Sequence, residues 1–221
     1  MITFKHSGAT GDIIFSLPTI KKMGGGTLYI SPYNLQRAES IAPLIKLQDY
    51  IDDVIIADNM PLVDVDLDKF RVYAGHHSNL IEAHLKAQGL EDNSWRDGWL
   101  RIEDKNPIID YTYSVINTGA NYKDPNFDWN KEIKYLLTLS DRVFYLGYKE
   151  EFDLLNTTEA EFFECDFLTA AEMIYYARMF TGGYSALSTI AMGLGINYRM
   201  VQAPDHTCSS LLMEREKIVN L

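Results

Sequence analysis

Two turns rich in glycine and other small residues separate short apolar runs from stretches with helical spacing. The first, residues 8–12, follows an apolar start and precedes apolar residues at helical intervals. The second, residues 182–183, lies between another apolar run and another helical stretch. An alternation of strand, turn and helix predicts a mainly parallel sheet with helices on its faces.

The same alternation extends along the chain. Apolar, β-type runs predict strands at 2–5, 27–30, 53–57, 70–73, 113–117, 142–146, 179–181 and 198–202. Helical spacing predicts helices at 13–21, 36–47, 80–87, 130–139, 150–155, 169–178, 185–194 and 209–219. Pro18 predicts a kink or an irregular start in the first helix, and Pro43 predicts that the second helix is interrupted. The fold class is therefore α/β.

A polar stretch at 91–98 and the breaker cluster 104–107 interrupt this rhythm, which then restarts. We expect a domain boundary near residue 105, with domains 1–105 and 106–221 that share the same alternating layout. A chain of 221 residues is long enough for two such domains.

The formal net charge of −11 argues against a general nucleic-acid binder, because phosphate contacts need clustered Lys and Arg. An anionic ligand can still bind locally at a helix N-terminus. The N-terminus has no pattern of a signal peptide, and no apolar run is long enough to cross a bilayer, so we expect a cytoplasmic protein. Cys165 and Cys208 lack CxxC spacing and are expected to be buried free thiols.

The first turn carries a carboxylate, Asp12, together with small residues whose backbone a ligand can approach closely: Gly8, Thr10 and Gly11. One interpretation is a tight turn in which Asp12 caps the helix. The other places Asp12 at the carboxyl end of the first strand, where open α/β sheets bind ligands and a carboxylate can accept a proton from a hydroxyl. The spacing is not GxGxxG, so NAD binding is not supported.

The second turn predicts a site for a diphosphate. Ser185 is a candidate N-cap, and Ser188 and Thr189 lie in the first helical turn, where N–H and hydroxyl donors converge. An ordinary glycine turn with a serine cap is the alternative. In a third loop, after the strand 113–117, Thr118 and Lys123 are candidate phosphate contacts, with a solvated loop as the alternative.

Other catalytic patterns are weak. His76, His77 and His84 lack the Cys or carboxylate spacing that would complete a zinc site, so we predict no metal. The run Gly183-Tyr184-Ser185 is not a GxSxG nucleophile elbow, which argues against a serine hydrolase.

Four segments, in this order, resemble the family of ADP-heptose–lipopolysaccharide heptosyltransferases. The first contains the family's Gly-Asp, a few apolar residues and Leu-Pro, and the last is similar to its nucleotide-sugar motif. The segments are 8–18, 42–55, 143–151 and 180–195.

The resemblance implies a GT-B fold, with two Rossmann-like halves facing across a cleft. It implies an inverting, metal-independent transfer from a nucleotide-diphosphate sugar, the donor substrate, to a hydroxyl of a glycan or other acceptor, which a membrane can carry. The N-terminal half would take the acceptor, and the C-terminal half the donor. The family's catalytic carboxylate falls on Asp12. Its diphosphate-binding turn falls on Ser185, Ala186, Leu187 and Ser188, and its second phosphate loop falls near Thr118 and Lys123. The remaining residues of the two glycine turns are further candidate ligand contacts: Gly8, Thr10, Gly11, Gly183 and Tyr184.

The chain departs from the family pattern at three positions. The family has Asp at Tyr184, Gly at Ala186 and His at Thr189, so the resemblance leaves the sugar, the base and the acceptor unidentified. The expected function is a glycosyltransferase. The alternatives are a nucleotide-sugar-binding protein that has lost catalysis and a GT-B-type nucleotide-sugar epimerase.

Overall fold

The computed structural model describes residues 1–31, 35–74, 79–103, 107–119 and 126–201. These residues form two compact units, 1–103 (unit one) and 107–201 (unit two). The boundary expected at residue 105, the helix predicted at 209–219, and Lys123, His76, His77 and Cys208 all lie outside the described residues.

The described part of unit one is a parallel sheet with helices. Its strands are β1 (Ile2–His6), β2 (Gly26–Ile30), β3 (Ile51–Ile56) and β4 (Val65–Asp66), and its helices are α1 (Thr10–Lys22), α2 (Leu35–Lys46) and α3 (Leu80–Ala87). The strand order is β3-β2-β1-β4. Strand β1 pairs with β2 from Ile2↔Gly26 to His6↔Ile30 and with β4 at Phe4↔Val65. The sheet therefore extends in both directions from its first strand.

Helix α1 continues through Pro18 without interruption. A proline lacks the N–H that would bond to the carbonyl four residues earlier, which here belongs to Ile14. The indole Nε1 of Trp99 donates to that Ile14 oxygen over 3.1 Å in a buried position. Trp99 is in turn held by the Tyr50 hydroxyl, which donates to its carbonyl over 2.9 Å. A distant indole therefore supplies the donor that the proline lacks.

The described part of unit two repeats the plan. Its strands are β5 (Tyr113–Asn117), β6 (Arg142–Tyr145), β7 (Glu161–Phe162), β8 (Phe180–Gly182) and β9 (Tyr198–Met200), and its helices are α4 (Trp129–Leu136), α5 (Lys149–Leu154), α6 (Phe167–Tyr176) and α7 (Ala186–Leu194). All pairings are parallel, in the order β7-β6-β5-β8-β9. Again the sheet extends in both directions from the first strand of the unit.

An ion pair inside unit two fastens the last two strands to α4. Arg199 Nη1 donates to both oxygens of the Glu132 carboxylate, at 2.7 and 2.9 Å, and the Thr181 hydroxyl donates to Oε1 at 2.9 Å. The Glu132 side chain is only 6% exposed. These bonds satisfy a charge that burial would otherwise penalise, and they hold Thr181 next to the glycine turn that follows β8.

Two secondary-structure predictions are wrong, and one short strand was missed. The predicted strand at 70–73 is part of a 3₁₀ helix, Leu67–Val72, in which the Asp66 carboxylate accepts from the Asp68 amide over 3.0 Å. The strand of this region is the preceding Val65–Asp66. The interruption predicted at Pro43 does not occur, because α2 runs from Leu35 to Lys46. Strand β7 was not predicted, since two residues are too few to show a pattern.

Candidate functional site

Both sheets have a switch point, where the strand order reverses beside the first strand of the unit. In unit one it lies between β1 and β4, and in unit two between β5 and β8. Open α/β sheets bind ligands outside the carboxyl ends of the strands at such a point. The first predicted turn follows β1, and the second follows β8, so the fold places both beside switch points.

In unit one, Asp12 lies in the first turn of α1, close to the end of β1. The N-cap of that helix is Ala9, whose side chain makes no capping bond; the Ala9 backbone amide acts on the Asp12 carboxylate in the first turn, so a capping role of Asp12 stays a prediction beside the catalytic one. A Cβ added at Gly8 would lie 3.0 Å from Asp12 Oδ2 and 2.6 Å from His6 Cε1. A side chain at position 8 would therefore force His6 or Asp12 to shift. Thr10 and Gly11 begin the helix, and Thr10 is buried.

The loop before Asp12 is fastened from two sides. His6, fully buried at the end of β1, accepts the Gly8 amide at its Nδ1 over 2.9 Å. Asp68 accepts from the Ser7 amide at 3.1 Å and from the Ser7 hydroxyl at 2.7 Å. Arg71 donates to the same carboxylate over 2.7 Å. The 3₁₀ helix that follows β4 thus holds the loop that follows β1.

Burial and charge act on Asp12 in opposite directions. Burial raises the pKa of its carboxyl above the usual value, and the nearby Asp68 charge adds to this, whereas Arg71 and the Ala9 backbone amide lower it. A carboxylate with a raised pKa is a stronger base than an exposed one. Asp12 therefore has the electrostatic character of a general base.

Two buried histidines line the same region. Burial lowers the pKa of His6 to about 4 and that of His84 to about 2. Their ring centroids lie 5.4 Å apart, and His84 stacks on Phe70 at 4.0 Å. Because Nδ1 of His6 accepts from Gly8, the proton of the neutral ring is on Nε2. That nitrogen and both nitrogens of His84 are buried and make no regular hydrogen bond to the described residues, although the Asp12 backbone lies close enough to act on the pKa of His84.

In unit two, the loops that follow β5 and β8 are in contact. The Gly183 amide donates to the Asn117 carbonyl over 2.8 Å. A Cβ at Gly183 would collide with the Thr118 carbonyl oxygen, and one at Gly119, whose φ is +69°, would lie 3.2 Å from the Gly183 carbonyl carbon. Only glycine at position 183 allows this approach. The second and third predicted turns therefore form one structure.

The start of α7 has the predicted capping geometry. Ser185 is the N-cap, and its hydroxyl accepts from the Ser188 amide over 3.3 Å. The Ser188 hydroxyl, predicted as a phosphate donor, instead donates to the Gly183 carbonyl inside the protein. Helix geometry leaves the N–H groups of Ala186 and Leu187 without a partner inside the helix. These amides are the donors that the turn presents to an anion.

Thr118 is buried and faces inward. Its hydroxyl lies 3.0 Å from the Tyr145 hydroxyl, which donates to Glu151 over 2.9 Å. Since the tyrosine proton is used on Glu151, Thr118 donates to Tyr145. Tyr184 is half-buried beside Ser185.

A hollow of about 500 Å³ lies at the carboxyl ends of β6 and β7. The hollow is open to solvent, and aromatic, acidic and basic residues line it together with a glycine. The lining residues are Gly147, Tyr148, Lys149, Glu150, Phe162 and Glu164. Because all strands of this sheet are parallel, the hollow lies at the same end of the sheet as the glycine turn that follows β8.

Sequence reasoning did not find His6, Asp68 or Arg71. A signal for Asp68 exists: an Asp two residues after another Asp, directly behind a short β-type run, is typical of a capped turn. The interpretation of 70–73 as a strand concealed it.

Other predictions concern single residues. Cys165 is a free thiol as predicted, but it is half-buried, and burial raises the pKa of the thiol to about 12. The described residues contain no group of three or more His, Cys, Asp or Glu side chains arranged to hold a metal ion. Within the same ranges, no helix combines the length and apolar character that crossing a bilayer requires.

Two Rossmann-like units, each with its switch point, give the chain the fold of GT-B-type glycosyltransferases. The crystal structure of the glycosyltransferase family 9 protein of Veillonella parvula matches this chain with a TM-score of 0.67 at 10% identity. The match covers 90% of this chain and 79% of that one. E. coli ADP-heptose LPS heptosyltransferase II has a TM-score of 0.63 at 10% identity, over 100% and 91%.

The dodecameric iron-containing heptosyltransferase TibC of enterotoxigenic E. coli, solved with ADP-D-beta-D-heptose, has a TM-score of 0.67 at 14% identity. The match covers 90% of this chain and 57% of TibC. The predicted α/β class and the likeness to heptosyltransferases are thus confirmed at the level of the fold. No protein-family model and no curated protein matches the sequence.

Proposed function

We propose that this protein is a glycosyltransferase that moves a sugar from a nucleotide-diphosphate sugar to a hydroxyl of a glycan or other acceptor. The observation that carries the proposal is Asp12, a partly buried carboxylate of raised pKa beside the switch point of unit one. The fold shared with known glycosyltransferases supports it.

Unit two is the proposed donor side. The N–H groups of Ala186 and Leu187, at the positive end of the α7 dipole, suit a diphosphate and stabilise the charge that develops on it as it leaves. Gly183 keeps the turn close to the backbone of the β5 loop. Lys123 is proposed as a second phosphate contact, and the hollow beside β6 and β7 as the place of the nucleoside.

Unit one is the proposed acceptor side, with Asp12 as general base. The acceptor oxygen forms a bond to the anomeric carbon while the bond from that carbon to the diphosphate oxygen breaks. The acceptor proton passes to the Asp12 carboxylate, and the nucleoside diphosphate leaves with the bonding electrons. Attack opposite the leaving group inverts the anomeric centre. The transfer is proposed without a metal ion, in the cytoplasm, with peripheral contact to a membrane where the acceptor is membrane-borne.

The test begins with donor binding. The chain is titrated with ADP, GDP and UDP sugars by calorimetry and by thermal shift, since a ligand at one hundred times its dissociation constant stabilises by about 2.7 kcal/mol. The preferred donor is then incubated with a panel of acceptors. Asp12→Asn is expected to keep donor binding and to lose transfer by a factor of about 100 or more.

Asp49→Asn is the matched control, because it removes a carboxylate that is exposed and paired with Arg101. Unchanged transfer in the Asp12 variant would refute the role of Asp12. Donor binding without transfer to any acceptor would favour the protein that has lost catalysis. Donor isomerised without an acceptor would favour the epimerase.

A further inference from the structure

The carboxylate of Asp12 is held indirectly by residues of the 3₁₀ helix after β4. Asp68 accepts two hydrogen bonds from Ser7, and His6 accepts one from Gly8, so both residues of the loop are held by hydrogen bonds. Gly8 in turn lies directly against the Asp12 carboxylate. Asp68 is thus connected to Asp12 through Ser7 and Gly8.

Charged and titratable groups approach Asp12 from each neighbouring element. Strand β1 contributes His6 and helix α3 contributes His84, both buried and neutral near pH 7. The 3₁₀ helix contributes Asp68 and Arg71. Within the described ranges, the ionised groups that act on Asp12 are thus one anion and one cation, paired with each other at 2.7 Å.

We propose that Asp68 and Arg71 are positioning residues for Asp12, because their hydrogen bonds hold the loop that brings Gly8 against the Asp12 carboxylate and bring one anion and one cation to the same end of β1. The role in catalysis rests on the proposed function of Asp12 as a base. The placement and the charge effect do not, because they are properties of the free protein.

The exposure of the two side chains fits this role. Asp68 is 19% exposed and makes two hydrogen bonds with Ser7 and an ion pair with Arg71, so it acts as the fixed member. Arg71 is 48% exposed and packs its guanidinium over Phe70 at 5.2 Å. Its charge is therefore partly screened by water, but it stays next to the buried cluster.

A purely structural role makes a different prediction. If the pair only stiffened the loop, loss of either member would loosen Asp12 and move its pKa towards the value of an exposed Asp in both variants. The charge effect instead predicts opposite shifts. Loss of the cation raises the pKa of Asp12, and loss of the anion lowers it.

The experiment is a carboxyl ¹³C NMR titration of the full chain without substrate, with the Asp12 signal assigned by its disappearance in Asp12→Asn. In Arg71→Met the pKa of Asp12 should rise by about half a unit or more, less than the one to three units of a direct contact. In Asp68→Asn, which keeps an oxygen for the Ser7 amide, it should fall. Arg101→Met is the control, because it breaks an exposed ion pair of similar length, 2.8 Å, with Asp49. It should leave the pKa of Asp12 unchanged.

Shifts of the same sign in both variants, or none, would overturn the proposal. If Asp68→Asn does not fold, the direction in Arg71→Met decides alone: a rise supports the proposal, and a fall or no change overturns it. Where transfer activity is established, the acidic limb of its pH profile should move with the NMR value. An NMR shift in a chain without activity would leave the placement standing and would count against the proposed function alone.

Discussion

Acidification from pH 7 to pH 5 should destabilise unit one through its two buried histidines. Both rings stay neutral in the folded chain, with pKa values of about 4 for His6 and about 2 for His84, against 6.5 when unfolded. The unfolded state therefore binds more protons in this range, and stability falls as the pH falls through 6.5. Above that pH neither residue contributes.

The magnitude depends little on the folded values, because both lie below pH 5. At pH 5 the pH is about 1.5 units below the pKa of an unfolded histidine, so each buried histidine lowers the free energy of unfolding by about 2 kcal/mol, and the pair by about 4 kcal/mol. That is a large share of the 5 to 15 kcal/mol typical of a domain. The raised pKa of Asp12 acts with the opposite sign, whereas Asp68, whose pKa is lowered, matters only at still lower pH.

The assay is native-state hydrogen exchange at pH 7 and pH 5, corrected for intrinsic rates and resolved to peptides of β1 and α3. Residues 107–201 contain no histidine and serve as an internal control. His84→Leu should remove about half of the pH dependence. Phe70→Leu is the matched control, because it removes the ring stacked on His84 without a titrating group. It should lower stability equally at both pH values.

Two results would refute the reasoning. One is a fall in the free energy of unfolding of the wild-type chain of less than about 1 kcal/mol from pH 7 to pH 5. The other is an undiminished pH dependence in His84→Leu.

Three further predictions concern other parts of the chain. Gly183→Ala should abolish donor binding and lower stability, because its Cβ would meet the Thr118 carbonyl; titration with nucleotide sugars and urea unfolding measure both. Glu132→Gln should lower the free energy of unfolding, measured by urea denaturation, by about 3 kcal/mol, because it leaves Arg199 without its ionic partner. Adding Arg199→Met should recover part of this loss, because the unpaired cation is then removed. Ser185→Ala should cost about 1 kcal/mol as a lost N-cap, whereas Ser185→Asp should be nearly neutral.

The order of strands and helices could be predicted because each element carries a local pattern. Ser185 as N-cap and the end of α7 at Gly195, which adopts a left-handed φ of 66°, follow from residues within one turn of the helix end. The position of Asp12 beside a strand end follows from the same local pattern. These features depend on neighbours in the sequence, and the sequence displays them directly.

Contacts between distant residues could not be predicted in this way. Asp68 and Ser7 are separated by 61 residues, and nothing near either of them indicates the other. The inward turn of Thr118 depends on Tyr145, which belongs to the next strand. The electrostatic surroundings of Asp12 are therefore a product of the fold, although Asp12 itself could be found in the sequence.

The bond between Trp99 and Ile14 has a consequence for the order of synthesis. It joins residues 85 positions apart, and it supplies the donor that Pro18 lacks. On the ribosome, the carbonyl of Ile14 emerges long before the indole that satisfies it. Helix α1 therefore gains the donor for its Ile14 carbonyl only after Trp99, which directly follows the polar stretch 91–98, has been made and has folded back. A segment that looks like a linker in the sequence thus leads to a residue that helix α1 uses.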